Sequence, residues 1–363
     1  MAPLQPKIQF ERLLYTHYQH QNLAATNKFF TDFGLTPVQQ TENTIYYRGF
    51  GDSPYIYVAE RSPDRVKHFI GGGWVVKSKA DLEAASKLPG ASKIQDLTTP
   101  GGGEFVDVKD PQGVNIRLIY GITYRPKDKL QDERPKPVVF NTWEDKPRRG
   151  EFQRFESGPS KVHKLGHYGL VVDKSKFEST VAWYLDTFSL KPTDSLFDQE
   201  SGKDMMTFMH IDKGEEYTDH HSFFIQSPSP PVQGSHPHHS SFEVDNMDTQ
   251  LMGHHHLESE GWTNCWGVGR HLLGSQIFDY WFDNSGNIVE HYSDGDLVNN
   301  KHTLVREVAA PDTMAVWGPN VTLAFLTGSI EDIAKGSAIP KVKKIPTVMT
   351  EEERAPTPAS ASG

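Results

Sequence analysis

Three residues of this chain have the types needed to hold one divalent metal: His167 in "KLGHYGLVVDKSKF", His239 in "HPHHSSFEV" and Glu290 in "NIVEHY". Each stands at the edge of an apolar, strand-like run. Two imidazoles and one carboxylate cap one face of an octahedral ion and leave up to three positions open, as a non-haem Fe(II) oxygenase needs for substrate and O2 together. Glu290 follows Asn-Ile-Val in a run that reads as buried, where a carboxylate costs several kcal/mol unless paired or metal-bound. A single strand histidine is more often a hydrogen-bonded core residue than a ligand, and the chain has 17 histidines. The case for the set comes from elements that repeat.

Two stretches, about 8–121 and 162–296, share one order of elements. Each opens on a strand and a helix, at residues 12–33 in the first and with "LGHYGLVV" and "KFESTVAWYLDTF" in the second. Strands follow, "TIYYRGFG" and "YIYVAER" against "KDMMTFMHI" and "HHSFFIQS". A strand and helix come next, "GGWVV" with "SKADLEAASKL" and "HHSSFEV" with "DTQLMGHHHLESEG". The turns "DPQG" and "DNSG" then lead into the last strands. Each half thus reads as two βαβββ modules, an α+β architecture rather than a doubly wound one. The expected organisation is an N-terminal domain over 1–121 without a metal, a linker over 122–161, a C-terminal metal-binding domain over 162–320, and a largely disordered tail over 321–363.

The repeat supplies an internal control. Alignment of the two halves sets Tyr15 opposite His167, Gly71 opposite His239 and Arg117 opposite Glu290. Tyr, Gly and Arg form no divalent site, so one metal is expected, in the second half alone.

The net charge of −10 and the absence of a Lys/Arg-rich run argue against nucleic acid and against an anionic membrane surface as partners. No apolar run reaches transmembrane length and the N-terminus lacks an apolar signal core. Cys265 is the sole cysteine, so an intramolecular disulfide is excluded and a reducing, cytoplasmic compartment is expected. Residues 122–161 are rich in Pro and charge and read as a long exposed connection. The run His254–His256 reads as a solvated helix face, and His236 and His238 as neighbours supporting the ligand His239.

The second half resembles the type I extradiol ring-cleavage dioxygenases of the vicinal oxygen chelate superfamily. The likeness lies in "GRHLLGSQIFDYWFDNSGNIVEHYSDGD", with its Gly-Arg-His, later Tyr, Asp-x-x-Gly and Glu. It extends to the His-His strand "HPHHSSFEV", whose second His is the ligand, and to "HHSFFI", which bears the active-site His. The first half is similar to the degenerate N-terminal domain of two-domain members, so the likeness covers about residues 8–320. Departures are the long 122–161 linker, the loop "SPSPPVQGSHP", and Asn284 where the family often has Pro.

The resemblance implies cleavage of a catechol ring beside its two hydroxyls with both atoms of O2 entering the product, Fe(II) as the metal with Mn(II) as the alternative, and a homo-oligomer. It assigns His221 as the acid/base residue, suited by a near-neutral pKa to moving the catechol proton. Tyr280 and His271 are the candidate donors to the substrate oxygens; Tyr280, read as on the same strand as the ligand Glu290, shares a face with it if the turn between them returns the chain. Family analogy sets Trp317 at the mouth of the site and Arg270 nearby as an electrostatic neighbour. Two other readings stand beside this one: a glyoxalase-like metal-dependent isomerase or lyase, whose ligands usually come from two modules, and a non-catalytic metabolite-binding protein, which would need neither His221 nor Tyr280.

Overall fold

The computed structural model describes residues 6–154, 156–227, 235–310 and 313–337. In the first half, β1 (Phe10–His20), α1 (Leu23–Asp32), β2 (Thr36–Gln40), β3 (Thr44–Arg48) and β4 (Tyr57–Arg61) make one βαβββ unit. The next consists of β5 (His68–Val76), α2 (Lys79–Ala85), β6 (Gln95–Asp96), β7 (Glu104–Lys109) and β8 (Asn115–Tyr120). The second half repeats the plan with β9 (Val162–Val171), α3 (Phe177–Thr187), β10 (Leu190–Phe197), β11 (Asp204–Ile211), the short β12 (Thr218–Asp219) and β13 (Phe223–Gln226). Its last unit is β14 (His236–Val244), α4 (Met247–Ser259), β15 (Thr263–Arg270), β16 (Ile277–Phe282) and β17 (Ile288–Ser293). Beyond them lie β18 (Leu297–Val298), β19 (Val305–Val308) and α5 (Leu323–Thr327).

Each half folds into one sheet. The first has the order β2-β3-β4-β1-β5-β8-β7-β6; the second has β15-β16-β17-β14-β9-β13-β11-β10-β19. In both, the opening strands of the two units pair antiparallel at the centre, β1 with β5 and β9 with β14. Each then pairs in parallel with the last strand of its own unit. This is the α+β architecture of tandem βαβββ modules in two sheets expected from the repeat.

Local chemistry explains the matching pieces. Asn22, Ser78 and Asn246 cap α1, α2 and α4 by accepting from backbone amides of the first turn. The two aligned turns are built alike. Asp110 Oδ1 accepts from the amides of Gln112 and Val114, and Asp283 Oδ1 from those of Ser285 and Asn287. Gly113 and Gly286 close these turns at φ +85° and +76°, where a side chain would be strained. The main core runs through both halves and packs Phe29, Phe33 and Tyr57 with Phe242.

The strand register gives the same residue correspondences as the alignment of the two halves. Across the first sheet, Tyr15 and Arg117 both face Gly73; across the second, His167 and Glu290 both face Ser241. Two residues back along the middle strands stand Gly71 and His239. The first-half counterpart is filled by other chemistry. The Tyr15 ring lies where a side chain on Gly73 would reach, 2.1 Å from a Cβ placed there, and Arg117 makes two hydrogen bonds to Asp107 while stacking on Phe105. Tyr15→Ala and Arg117→Ala are therefore expected to leave metal content unchanged; elemental analysis of the purified variants checks this.

The linker carries one 3-10 turn, Lys127–Glu133, anchored by Glu133 to Arg48 and Arg125. Beyond it Phe140, Trp143 and Phe152 are exposed. The start of the segment 321–363, expected to be largely disordered, is packed. Val321, Ala324 and Phe325 pack on Cys265, Trp266 and Tyr280. Residues 338–363, and 228–234 of the "SPSPPVQGSHP" loop, lie outside the described residues. Among the described residues no helix is long and apolar enough to cross a membrane.

Burial makes the fold acid-sensitive. His210 donates through Nδ1 to Thr193 Oγ1, whose hydroxyl donates to the His220 carbonyl, and burial pushes the His210 pKa down to about 4. The unfolded chain takes up this proton below about pH 6.5 and the folded chain only near 4, so its contribution is whole above 6.5 and is lost as pH falls from 6.5 towards 4. His210→Asn, which keeps a donor near Thr193, is expected to reduce the slope of unfolding free energy between pH 6 and 5 by up to about 1.4 kcal/mol per pH unit, measured by urea titration.

Candidate metal centre

The three expected ligands converge because the sheet register requires it. His167 on β9 and Glu290 on β17 flank Ser241 of β14 on its two sides, so all three share a face, and His239 lies on that face two residues away. Ser241 is small and leaves the space between the larger side chains open. His167 Nε2 and His239 Nε2 are 3.1 Å apart, and both lie near Glu290 Oε2, at 3.3 and 3.4 Å. Among the described residues this is the one group of three or more His, Cys, Asp or Glu whose donor atoms cluster closely enough to hold a metal ion.

The residues fit a divalent cation. Donor atoms each about 2.1 Å from one ion and roughly at right angles would lie about 3 Å apart. Glu290 is fully buried, yet neither of its carboxylate oxygens has a hydrogen-bond partner, and His167 Nδ1 is likewise unpartnered. A buried carboxylate without donors needs a positive charge beside it. Burial pushes the His167 imidazole down to about 4, which keeps it neutral as a ligand must be. His238 Nδ1 lies 2.8 Å from His239 Nδ1 and so fixes the ring whose Nε2 faces the cluster.

Above the triad opens a cavity of about 280 Å³ whose lining includes His167, His239, His221, His271 and Tyr280. Tyr280 lies on β16, not on the ligand's own strand, and pairs directly across from Glu290 on β17; the Asp283–Gly286 turn returns the chain and gives the two a common face. His271 Nδ1 donates to the Met314 carbonyl, which leaves Nε2 to accept from the Tyr280 hydroxyl at 2.9 Å. Burial holds the Tyr280 hydroxyl well above its usual pKa, so it remains a donor. The His221 ring packs against that of His167, centroids 4.0 Å apart, two residues ahead of the strand expected to carry it.

Other expectations change. His254 is not solvated: its Nδ1 bonds buried Asp279, which also accepts from Asn264 and Trp281 and so ties α4 to the sheet. His255 is exposed, and His256 is largely covered near Asp32. Trp317 stands outside the cavity lining, which includes Met314, Phe325 and Leu326, and Arg270 pairs with Asp294. Neither Met314 nor Phe325 could be assigned from sequence, because the segment after β19 has no counterpart in the first half.

A curated relative, metapyrocatechase 2 of Cupriavidus necator, is 29% identical over 308 residues, 84% of this chain and 88% of that protein. Homoprotocatechuate 2,3-dioxygenase from Arthrobacter globiformis superposes with a TM-score of 0.71 at 18% identity, covering 91% of this chain and 94% of the other. The Mn(II)-bound glyoxalase from Novosphingobium aromaticivorans superposes at 0.68 and 22% identity, covering 86% and 92%. No family model matches the chain. The fold is thus the two-domain vicinal oxygen chelate fold, shared with both of these solved structures. The sequence is similar to that of a metapyrocatechase across most of both chains.

Proposed function

We propose that this chain is an extradiol dioxygenase that opens the ring of a catechol beside its two hydroxyls, using O2 and one metal held by His167, His239 and Glu290. Fe(II) is the metal this reading favours and Mn(II) the alternative. The observation that carries it is the convergence of the three donor atoms at a cavity that also presents His221, His271 and Tyr280. Once bound, such a metal supplies open positions for a catechol and for O2. His221 takes the proton of a substrate hydroxyl and later returns one. On substrate binding the Tyr280 hydroxyl turns its one proton from His271 Nε2 to a substrate oxygen. Met314, Phe325 and their apolar neighbours exclude water.

The glyoxalase-like alternative is disfavoured because the first-half counterpart of the site holds Tyr15 and an Arg117–Asp107 pair, so no ligand comes from the other sheet. Loading the full chain anaerobically with Fe(II) and then adding catechol in air should consume O2 and give a yellow ring-fission product. No turnover of any catechol by a metal-loaded, folded chain would defeat the proposal.

A further inference from the structure

The cavity also specifies what the catechol carries. We propose that its substrate bears an apolar, uncharged substituent and that carboxylated catechols are excluded; this deepens the reading above and rests on it. The wall opposite the ligands comes from β10, β11 and the segment after β19, several strands away from β14 and β17. It presents Leu196, Met206, Phe208 and Ala310, closed by Met314 and Phe325, and the other polar side chains of the lining, Gln226, Gln276 and Thr313, are uncharged. Among the described residues the lining holds no Lys, Arg, Asp or Glu.

The imidazoles in the lining are engaged at the metal end: His271 with Met314 and Tyr280, His221 with His220, His238 with His239. A carboxylate entering the far end would lose its water and meet no cation, whereas an alkyl group would meet methyl and ring carbons. At about 280 Å³ the cavity holds one ring with a short side chain.

Anaerobic calorimetry on the Fe(II)-loaded full chain tests this with 4-propylcatechol and 3,4-dihydroxyphenylacetate. The alkylcatechol should bind at least about 100-fold more tightly, and Met206→Arg should narrow that ratio about 10-fold or more. Equal or tighter binding of the carboxylate by the wild-type chain overturns the proposal. The expected binding ratio without O2 consumption would overturn the dioxygenase reading and leave the cavity's selectivity standing.

A separate observation carries a second inference. The geometry points to Asp194 and His220 as positioning residues that fix the tautomer of His221, so that its Nε2 offers a lone pair to the cavity. All three are buried. Asp194 Oδ2 lies 2.8 Å from His220 Nε2, and His220 Nδ1 lies 3.0 Å from His221 Nδ1. A carboxylate only accepts, so the His220 proton sits on Nε2 and its Nδ1 is an acceptor. His221 must then donate from Nδ1, and its remaining nitrogen is unprotonated. His302 Nε2, 3.7 Å from Asp194 Oδ1, is the other basic group facing this carboxylate.

Nitrogen-15 histidine spectra of the zinc-loaded full chain should show His221 protonated at Nδ1. Asp194→Asn should invert that pattern and lower kcat about 10- to 100-fold, with KM and metal content unchanged. His220→Gln, which can offer an amide oxygen, should retain more activity than His220→Leu. A wild-type His221 protonated at Nε2, or Asp194→Asn with an unchanged kcat, overturns the inference.

Discussion

Glu290→Ala yields a folded chain that no longer retains a metal through gel filtration and loses at least about 1000-fold in kcat. The basis is its position. Glu290 is the only anion among the three converging donors, it is fully buried, and its oxygens have no other hydrogen-bond partner. Without it, two neutral imidazoles 3.1 Å apart remain, and a divalent ion in that site would have no charge opposite it. Metal analysis checks this directly: one equivalent of metal retained by the variant would remove Glu290 from the site. The first-half variants are the matched control, because Arg117 occupies the same register position on the other sheet.

His221→Ala is the variant with the next largest effect. It should keep its metal, since the ring touches His167 through packing and His221 donates no ligand atom to the triad. Its kcat should fall by about 100- to 10000-fold, the usual contribution of a positioned acid/base residue. Steady-state kinetics on metal-loaded protein measures it. Loss of metal together with activity would make His221 a structural support of the ligands rather than a proton carrier.

Much of this site was legible in the chain because strand periodicity and duplication act together. Tyr15, Gly71 and Arg117 mark where His167, His239 and Glu290 must lie, and the pairing of both sheets gives those correspondences without adjustment. The Asp-x-x-Gly turns were equally legible, since a side-chain acceptor and a positive-φ glycine leave few other conformations.

What escaped the sequence depends on partners far along the chain. His254 looked solvated because Asp279, 25 residues on, becomes its neighbour only when α4 packs on the sheet. The His271–Tyr280 bond needs the Met314 carbonyl to set the imidazole's donor side, and no local pattern announces a backbone acceptor 43 residues away. The apolar cavity wall combines edge strands with a segment that the first half lacks.

The central claim is that both atoms of O2 enter an opened ring. Reaction of the Fe(II)-loaded chain with catechol under ¹⁸O2, followed by mass spectrometry of the product, tests it most directly. The expected result is an acyclic product that contains both labelled oxygens. An intact aromatic ring, a quinone, or an unlabelled product would contradict it.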